Sequence, residues 1–193
     1  MKHRAIIALA IIAAPLGGCG LNSIPTAEEN AKARWADVQN DYQRRADLIP
    51  NLVSTVRAAG AQEKDILVQV TQARAAATQV KVSGDELTDP AKVQAFERAQ
   101  AGVTLSLQRL QEAYPELKSQ GNYTTLMSQL EGTENRIAIA RRDYNGAVQG
   151  YNTTIRTFPA AIGARIFYGA KPMTPFQATT PGAETAPKVD FGS

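Results

Sequence analysis

Five charged residues near the seams of the predicted helices are the groups in this sequence that could do chemistry. Arg45 falls at a seam step of the first helix, and Asp47 follows two residues later. Glu134, Arg136 and Arg141 lie along the fourth helix. Carboxylates beside guanidinium groups in a helical bundle could form an acid/base pair, a metal site or an internal ion-pair layer. We favour the layer, because buried charge is tolerated when it is paired and such pairs set register between helices.

The arrangement of the predicted helices suggests one contact within this layer. The first and fourth helices should run antiparallel, so that their middles meet. Asp47 is therefore expected to contact either Arg136 or Arg141.

A cleavage and lipidation motif is predicted at Cys19. Leu16, Gly17 and Gly18 precede it, and residues 5–14 form an apolar run that is too short to cross a bilayer. The motif resembles the lipobox of bacterial lipoproteins, where signal peptidase cuts before the cysteine and acyl chains are attached to it. Each buried CH₂ contributes about 0.8 kcal/mol, so several chains hold a protein on a membrane. The alternative is an ordinary cleaved signal peptide, with Cys19 incidental.

This processing would remove most catalytic chemistry from the mature chain. His3 is the only histidine and Cys19 the only cysteine, so cleavage and acylation would leave neither imidazole nor free thiol. Glu131 and Glu134 share a helix face and could begin a metal site, but a hard cation needs more converging carboxylates. We therefore expect no catalytic residue, no metal and no cofactor.

Charge and the residue after the cysteine indicate where the protein acts. Loss of Lys2 and Arg4 would lower the formal charge from +3 to +1, which gives no electrostatic case for nucleic-acid binding. Gly20 stands where an aspartate would resemble an inner-membrane retention signal. The expected location is thus extracytoplasmic and lipid-anchored in the bacterial cell envelope, on the periplasmic face of the outer membrane in a Gram-negative host.

Helical periodicity dominates the rest of the chain and predicts an all-α fold, an antiparallel up-down four-helix bundle with long first and fourth helices. Thr26 and Glu29 read as a capping box that starts the first helix, Pro50 as a kink within it, and Gly60 as its stop. The loop 82–88 reads as polar, and Asp89 as the N-cap of the third helix. Residues 123–158 repeat aromatic and aliphatic residues every seven positions, which predicts the fourth helix.

The predicted organisation has four parts. They are a cleaved signal peptide (1–18), a lipidated tether (19–25), the bundle (26–158) and an irregular C-terminal tail rich in proline and glycine (159–193).

Several ordered strings along the mature chain resemble the LemA family of bacterial membrane-anchored proteins. The strings are RRADLIPNLV from Arg44, EAYPELK from Glu112, TENRIA from Thr133, ARRDYN from Ala140, and PKV from Pro187. The resemblance implies a helical bundle outside the cytoplasm, tethered at its amino end and without an established catalytic activity. One branch of the family is associated with magnetosome organelles, which suggests membrane organisation. Many relatives resemble single-span membrane proteins, whereas a lipobox takes that place here.

The segment after the fourth helix is a candidate membrane-contacting surface. In an up-down bundle the fourth helix ends at the level where the first begins, close to the lipid. Arg165, Phe167 and Tyr168 would then lie near the headgroups, and apolar residues around one arginine suit such a position. Alternatively, the segment folds back and covers the end of the bundle.

These observations favour a non-enzymatic, lipid-anchored envelope scaffold or protein-interaction module. Its expected partners are membrane lipid, through acylated Cys19, and unidentified envelope proteins. One alternative is an extracytoplasmic bundle that binds a ligand or metal through seam carboxylates. A carboxylate-dependent hydrolase is a third possibility, since paired acids suffice for that chemistry, although a slim bundle offers no cleft.

Overall fold

The computed structural model describes residues 22–60 and 63–177. The predicted signal peptide, the predicted lipobox residues Leu16, Gly17 and Gly18, the predicted lipidation site Cys19 and residues 178–193 lie outside the described residues. Within the described ranges the chain forms helices and connections and contains no strand. The all-α class is therefore confirmed for this part of the chain.

Four long helices and a short one carry the described structure. They are α1 (Ser23–Ala58), α2 (Lys64–Gln79), α3 (Pro90–Ala113), α4 (Gly121–Thr154) and α5 (Ala160–Gly163). Two 3₁₀ helices, Gly84–Thr88 and Pro115–Ser119, lie in the connections that flank α3, and a π-helical turn, Ala164–Tyr168, follows α5. None of the described helices has both the length and the hydropathy of a transmembrane span.

The start of α1 differs from the prediction. The helix begins at Ser23, and Thr26 lies inside its first turn, where the hydroxyl donates a hydrogen bond to the carbonyl of Asn22 at 2.7 Å. The capping box at Thr26 was therefore wrong. Ile24 is fully buried, so packing of this side chain draws the preceding turn into the helix. Pro50 lies within α1 without ending it, so the choice of a continuous helix over a break is confirmed.

The connections around α2 and α3 follow the sequence signals in part. Gly60, just past the end of α1, has a φ of 88°, a left-handed conformation that favours glycine. Asp89 caps α3 by accepting a hydrogen bond from the amide of Ala91 at 2.9 Å, as predicted. The description of 82–88 as a polar loop was wrong, because Val82 and Leu87 are buried and anchor the 3₁₀ helix to the core.

The fourth helix is shorter than the sequence predicts. Its seven-residue column is buried at Tyr123, Leu130, Ile137, Tyr144 and Tyr151. The helix ends at Thr154, however, so Phe158, the last member of the predicted column, falls beyond it and is 82% exposed.

Contacts between named residues give the relative directions of α1 and α4. Trp35 packs against Tyr144, with ring centroids 5.3 Å apart, and Arg45 contacts Glu134 further along α1. Rising numbers in α1 thus meet falling numbers in α4, so the two helices are antiparallel. The start of α1 and the end of α4 consequently share one end of the molecule.

The buried apolar residues form two clusters. The aromatic cluster lies at the end where α1 starts and is built around Trp35, Phe96 and Tyr144. The aliphatic cluster occupies the other end and includes Leu52 of α1 and Leu110 of α3. The buried residues of α2 belong to the aliphatic cluster alone.

Residues 169–177, which we call the strap, close the aromatic cluster. They have no regular secondary structure, yet Met173 and Phe176 are buried in that cluster. The amide of Thr174 donates to the carbonyl of Leu87 at 2.8 Å, which ties the strap to the 3₁₀ helix before α3. The strap and this 3₁₀ helix thus pack at the end of the molecule where α2 contributes no buried residue.

Candidate functional site

The centre of the molecule holds a charged group that is almost completely buried. Arg45 is 2% exposed, and its guanidinium donates to four acceptors. These are Glu134 Oε1 at 2.5 Å, Thr104 Oγ1 at 3.0 Å, and the Oε1 and main-chain carbonyl of Gln100 at 2.7 and 3.1 Å. The guanidinium carbon also lies 5.0 Å from the ring centroid of Tyr42. The five donors of arginine in a planar fork suit such a site, where a single helix could not supply all the acceptors.

This polar layer separates the two apolar clusters. Along α1, Tyr42 belongs to the aromatic cluster and Ile49 to the aliphatic one, with Arg45 between them. On α4, Glu134 lies in the same way between Ile137 and Leu130. Polar groups in the interior are satisfied only in one alignment of the helices, so the layer specifies register.

A second ion pair lies on the aromatic side of the layer. Arg141 Nη2 is 3.7 Å from Glu97 Oε1 and donates to the carbonyl of Gln177 at 2.9 Å. The same Glu97 oxygen accepts the amide hydrogen of Gln177 at 2.9 Å. The guanidinium of Arg141 also lies 4.6 Å from the ring centroid of Phe176. This pair therefore joins α3, α4 and the strap.

The predicted contact between Asp47 and an arginine of α4 is not formed, which corrects that expectation. Asp47 is exposed and accepts a hydrogen bond from Gln43 at 2.7 Å. Arg136 instead lies 3.7 Å from Asp41, and Arg141 contacts Glu97. The reason is helical geometry: two residues turn the helix by about 200°, so Asp47 points outward when Arg45 points inward.

Double-mutant cycles should therefore find no coupling between Asp47 and Arg136 or Arg141. The pair of Asp41 and Arg136, a surface contact, should give about 0.2–1 kcal/mol, which is usual for exposed ion pairs. Urea unfolding of the single and double alanine variants measures both couplings. A coupling of Asp47 with either arginine larger than that of Asp41 with Arg136 would contradict this assignment.

The strap is held by two asparagines of α4, each of which bonds the amide and carbonyl of one strap residue. Asn145 donates to the carbonyl of Phe176 at 3.1 Å and accepts its amide hydrogen at 2.8 Å. Asn152 makes the same pair of bonds with Met173, both at 2.8 Å. A primary amide carries both a donor and an acceptor, so one side chain replaces the partner strand that an extended backbone would otherwise need.

Buried tyrosines next to these groups stay protonated. Burial raises the pKa of Tyr144, and the charge of Glu97 raises it further. Its hydroxyl donates to the carbonyl of Thr174 at 2.8 Å, which adds another contact to the strap. Burial also raises the pKa of Tyr42, whereas the nearby Arg141 and Arg45 act in the opposite direction.

The end of the molecule at which α1 begins carries an exposed apolar face, which we call the end face. Five large apolar side chains of this face are between 46% and 82% exposed: Phe158, Ile162, Ile166, Phe167 and Tyr168. Arg165 is exposed among them. Ala160 and Ala164 of the same segment are buried in the aromatic cluster together with Ile24. The segment therefore packs one side on the molecule and presents the other to its surroundings, near Ser23.

Sequence reasoning found the α1 and α4 members of the polar layer and missed the members on α3. Gln100 occupies a seam position of α3, and a polar side chain at an otherwise apolar seam could have indicated a buried polar contact. Glu97 and Thr104 lie beside the seam, where polar residues are common, so the sequence did not indicate their role. Among residues 22–60 and 63–177, no group of three or more histidine, cysteine, aspartate or glutamate side chains is arranged to hold a metal ion.

Comparison with known proteins finds one family model and several relatives that match most of this chain. The model of the LemA family matches residues 34–191. Magnetosome protein MamQ 2 of Paramagnetospirillum magneticum is 28% identical over 157 residues, and magnetosome protein MamQ of Magnetospirillum gryphiswaldense is 27% identical over 157 residues. Each alignment covers 72% of this chain and 58% of the relative, so the chain spans less than two thirds of the length of these proteins. Because the family model matches most of its length, the chain belongs to the LemA family.

Proposed function

We propose that this protein is a non-enzymatic scaffold of the bacterial cell envelope, lipid-anchored through Cys19 and resting end-on against the membrane. In this proposal the four long helices form an antiparallel up-down bundle that stands on its end face, with the opposite end available to envelope proteins. Membership of the LemA family and relatives named as magnetosome proteins support a role connected with membranes. The single observation that carries the proposal is the exposed apolar end face.

The composition of the end face suits a lipid surface with anionic headgroups. Aromatic and aliphatic side chains such as Phe167 and Ile166 can enter the boundary between headgroups and acyl chains. Residues 155–177 contain the cations Arg156, Arg165 and Lys171 and no carboxylate. Cations next to an apolar surface are attracted to the negative potential of anionic lipids, with about 1 kcal/mol for each charge near the surface.

The position of the proposed anchor brings this face to the bilayer. Cys19 precedes Ser23, the first residue of α1, by four residues, which span at most about 14 Å when fully extended. Ile24, Ala160 and Ala164 are all buried in the aromatic cluster, and α1 starts at the end of the molecule where α4 ends. An acylated Cys19 would thus hold the end face close to headgroup depth, where the exposed rings leave water.

Vesicle binding by protein that lacks residues 1–19 tests the end face without the anchor. We expect this protein to sediment with vesicles of phosphatidylethanolamine and phosphatidylglycerol. Phe167→Ser should weaken binding at least about tenfold, because burial of a phenylalanine side chain contributes about 1.5–3 kcal/mol. The matched control is Ile139→Ser, which removes a side chain of α4 that is 52% exposed and belongs to neither the end face nor the strap contacts.

The outcomes separate the two interpretations of this segment. If Phe167→Ser binds vesicles as well as the unaltered protein, the segment only covers the end of the bundle, and the proposed contact of the end face with the membrane is wrong. Incorporation of labelled palmitate in the bacterial host, lost in Cys19→Ser, tests the anchor independently of the end face.

A further inference from the structure

An open groove continues from Gln177, the last residue of the strap. Its first part, an opening of about 680 Å³, lies between α3 and α4 and is lined by Gln100, Leu105, Ile137 and Arg141, among others. Its second part, about 420 Å³, lies further towards the start of α4 and is lined by Gln111, Met127 and Asn135, among others. The two parts share Thr104, Gln108 and Glu134, so they form one channel along the molecule.

The strap runs along α4 in the direction of this groove. Met173 pairs with Asn152, Phe176 with Asn145, and Gln177 with Arg141. Each step along the strap therefore moves towards the start of α4. Arg141 also lines the first part of the groove, which places Gln177 at its entrance.

We propose that the groove between α3 and α4 is a docking site for an extended peptide and that residues 178–193 of the same chain occupy it. The groove from Arg141 to Met127 covers 14 residues of α4, about 21 Å at 1.5 Å per residue. An extended chain rises about 3.3 Å per residue, so about six residues fill that length. The segment that follows Gln177 has 16 residues and is long enough.

The lining of the groove offers the same kind of contact that already holds the strap. Within the described part of the chain, the side-chain amides of Gln108 and Asn135 make no hydrogen bond. They are free to bond an extended backbone as Asn145 does. Glu134 uses one carboxylate oxygen for Arg45, and its side chain is still 42% exposed.

The groove also exposes an aliphatic residue that an occupant would cover, and the segment is small enough to enter it. Leu105, which lines the groove, is 50% exposed although it is a large aliphatic residue. Residues 178–186 are small or slender apart from one glutamate, which suits a narrow channel. The family match extends to residue 191, so this segment belongs to the unit that the relatives share.

Photo-cross-linking of the full chain in its bacterial host tests the occupant. With p-benzoylphenylalanine at position 108, irradiation should join this position to a peptide from residues 178–193 of the same molecule. The control carries the same amino acid at position 139, on another face of α4, and should give no such product. A chain that stops after Gln177 should lose the product and show faster hydrogen exchange in the part of α3 around Leu105.

Each possible cross-linked product identifies a different occupant of the groove. A product that joins position 108 to another polypeptide would assign the groove to a partner, and a product between two copies would make the contact intermolecular. Both results, or the absence of a product with residues 178–193, would overturn the proposal. Because the measurement does not depend on vesicle binding or palmitate, its failure is distinct from failure of the membrane function.

Discussion

Replacement of Glu134 by leucine is expected to lower the free energy of unfolding by about 3 kcal/mol, because removal of one partner strands a buried charge. Arg45 is 2% exposed and cannot turn to solvent, whereas the Glu134 side chain is 42% exposed and remains hydrated if its partner is lost. Arg45→Met should therefore lower the free energy of unfolding less, by about 1–2 kcal/mol, mainly because the side-chain oxygen of Gln100 loses its hydrogen-bond donor. Urea unfolding followed by far-UV circular dichroism measures both variants.

The double variant makes the test specific. Adding Arg45→Met to Glu134→Leu should recover part of the lost stability, because an apolar pair replaces a stranded charge. Arg136→Met is the matched control on the same two helices. Its side chain is 51% exposed and 3.7 Å from Asp41, so the change should cost at most about 1 kcal/mol, well below the cost of Glu134→Leu. A double variant less stable than Glu134→Leu would show that the charge of Arg45 was not the cause.

Replacement of both Asn145 and Asn152 by alanine is expected to release the strap. The change removes four hydrogen bonds with the backbone of Met173 and Phe176, each with a net contribution of about 0.5–1.5 kcal/mol. A loss of about 3 kcal/mol corresponds to roughly hundredfold faster amide exchange at those two residues. Hydrogen exchange read by mass spectrometry resolves the strap from the helices.

The test depends on the difference in amide exchange rate between the strap and the rest of the molecule. Exchange in α2, whose buried residues lie in the aliphatic cluster, should change little. Asn51→Ala, at an exposed position of α1, should change neither region. If amide exchange became equally faster in all helices, the two asparagines would stabilise the whole fold and not the strap in particular.

The sequence predicts the helices well because their signals are local and repeated. Tyr123, Leu130, Ile137, Tyr144 and Tyr151 repeat every seven residues, and all five are buried. Asp89 caps α3 through a contact with Ala91, two residues away. Such features depend on spacing along one helix, which a sequence displays directly.

The sequence predicts contacts between helices poorly because they depend on rotation about each axis. Asp47 and Asp41 both lie near Arg45, yet Asp41 faces Arg136 and Asp47 faces solvent. Their separation of six residues turns the side chain by about 240°, so a bundle prediction without helix phase cannot choose between the two. Glu97 was missed for a related reason, since its partners belong to α4 and the strap.

The strap was also hidden, because its partners are backbone groups. Asn145 and Asn152 bond the amide and carbonyl of Phe176 and Met173, and no side-chain pattern reports such bonds. Phe158 shows the converse case. It continues the seven-residue column in the sequence, but α4 ends at Thr154, so the same residue type lies on the outside.

The polar layer around Arg45 has a consequence for how far local unfolding can spread along the molecule. Apolar packing does not run unbroken from one end to the other, since the aromatic cluster ends at Tyr42 and the aliphatic cluster begins at Ile49. We therefore expect local unfolding that starts near Gly60, between the end of α1 and the start of α2, to stop at this layer. We thus expect the end near Gly60 to loosen without disturbing the packing around Trp35 at the opposite end.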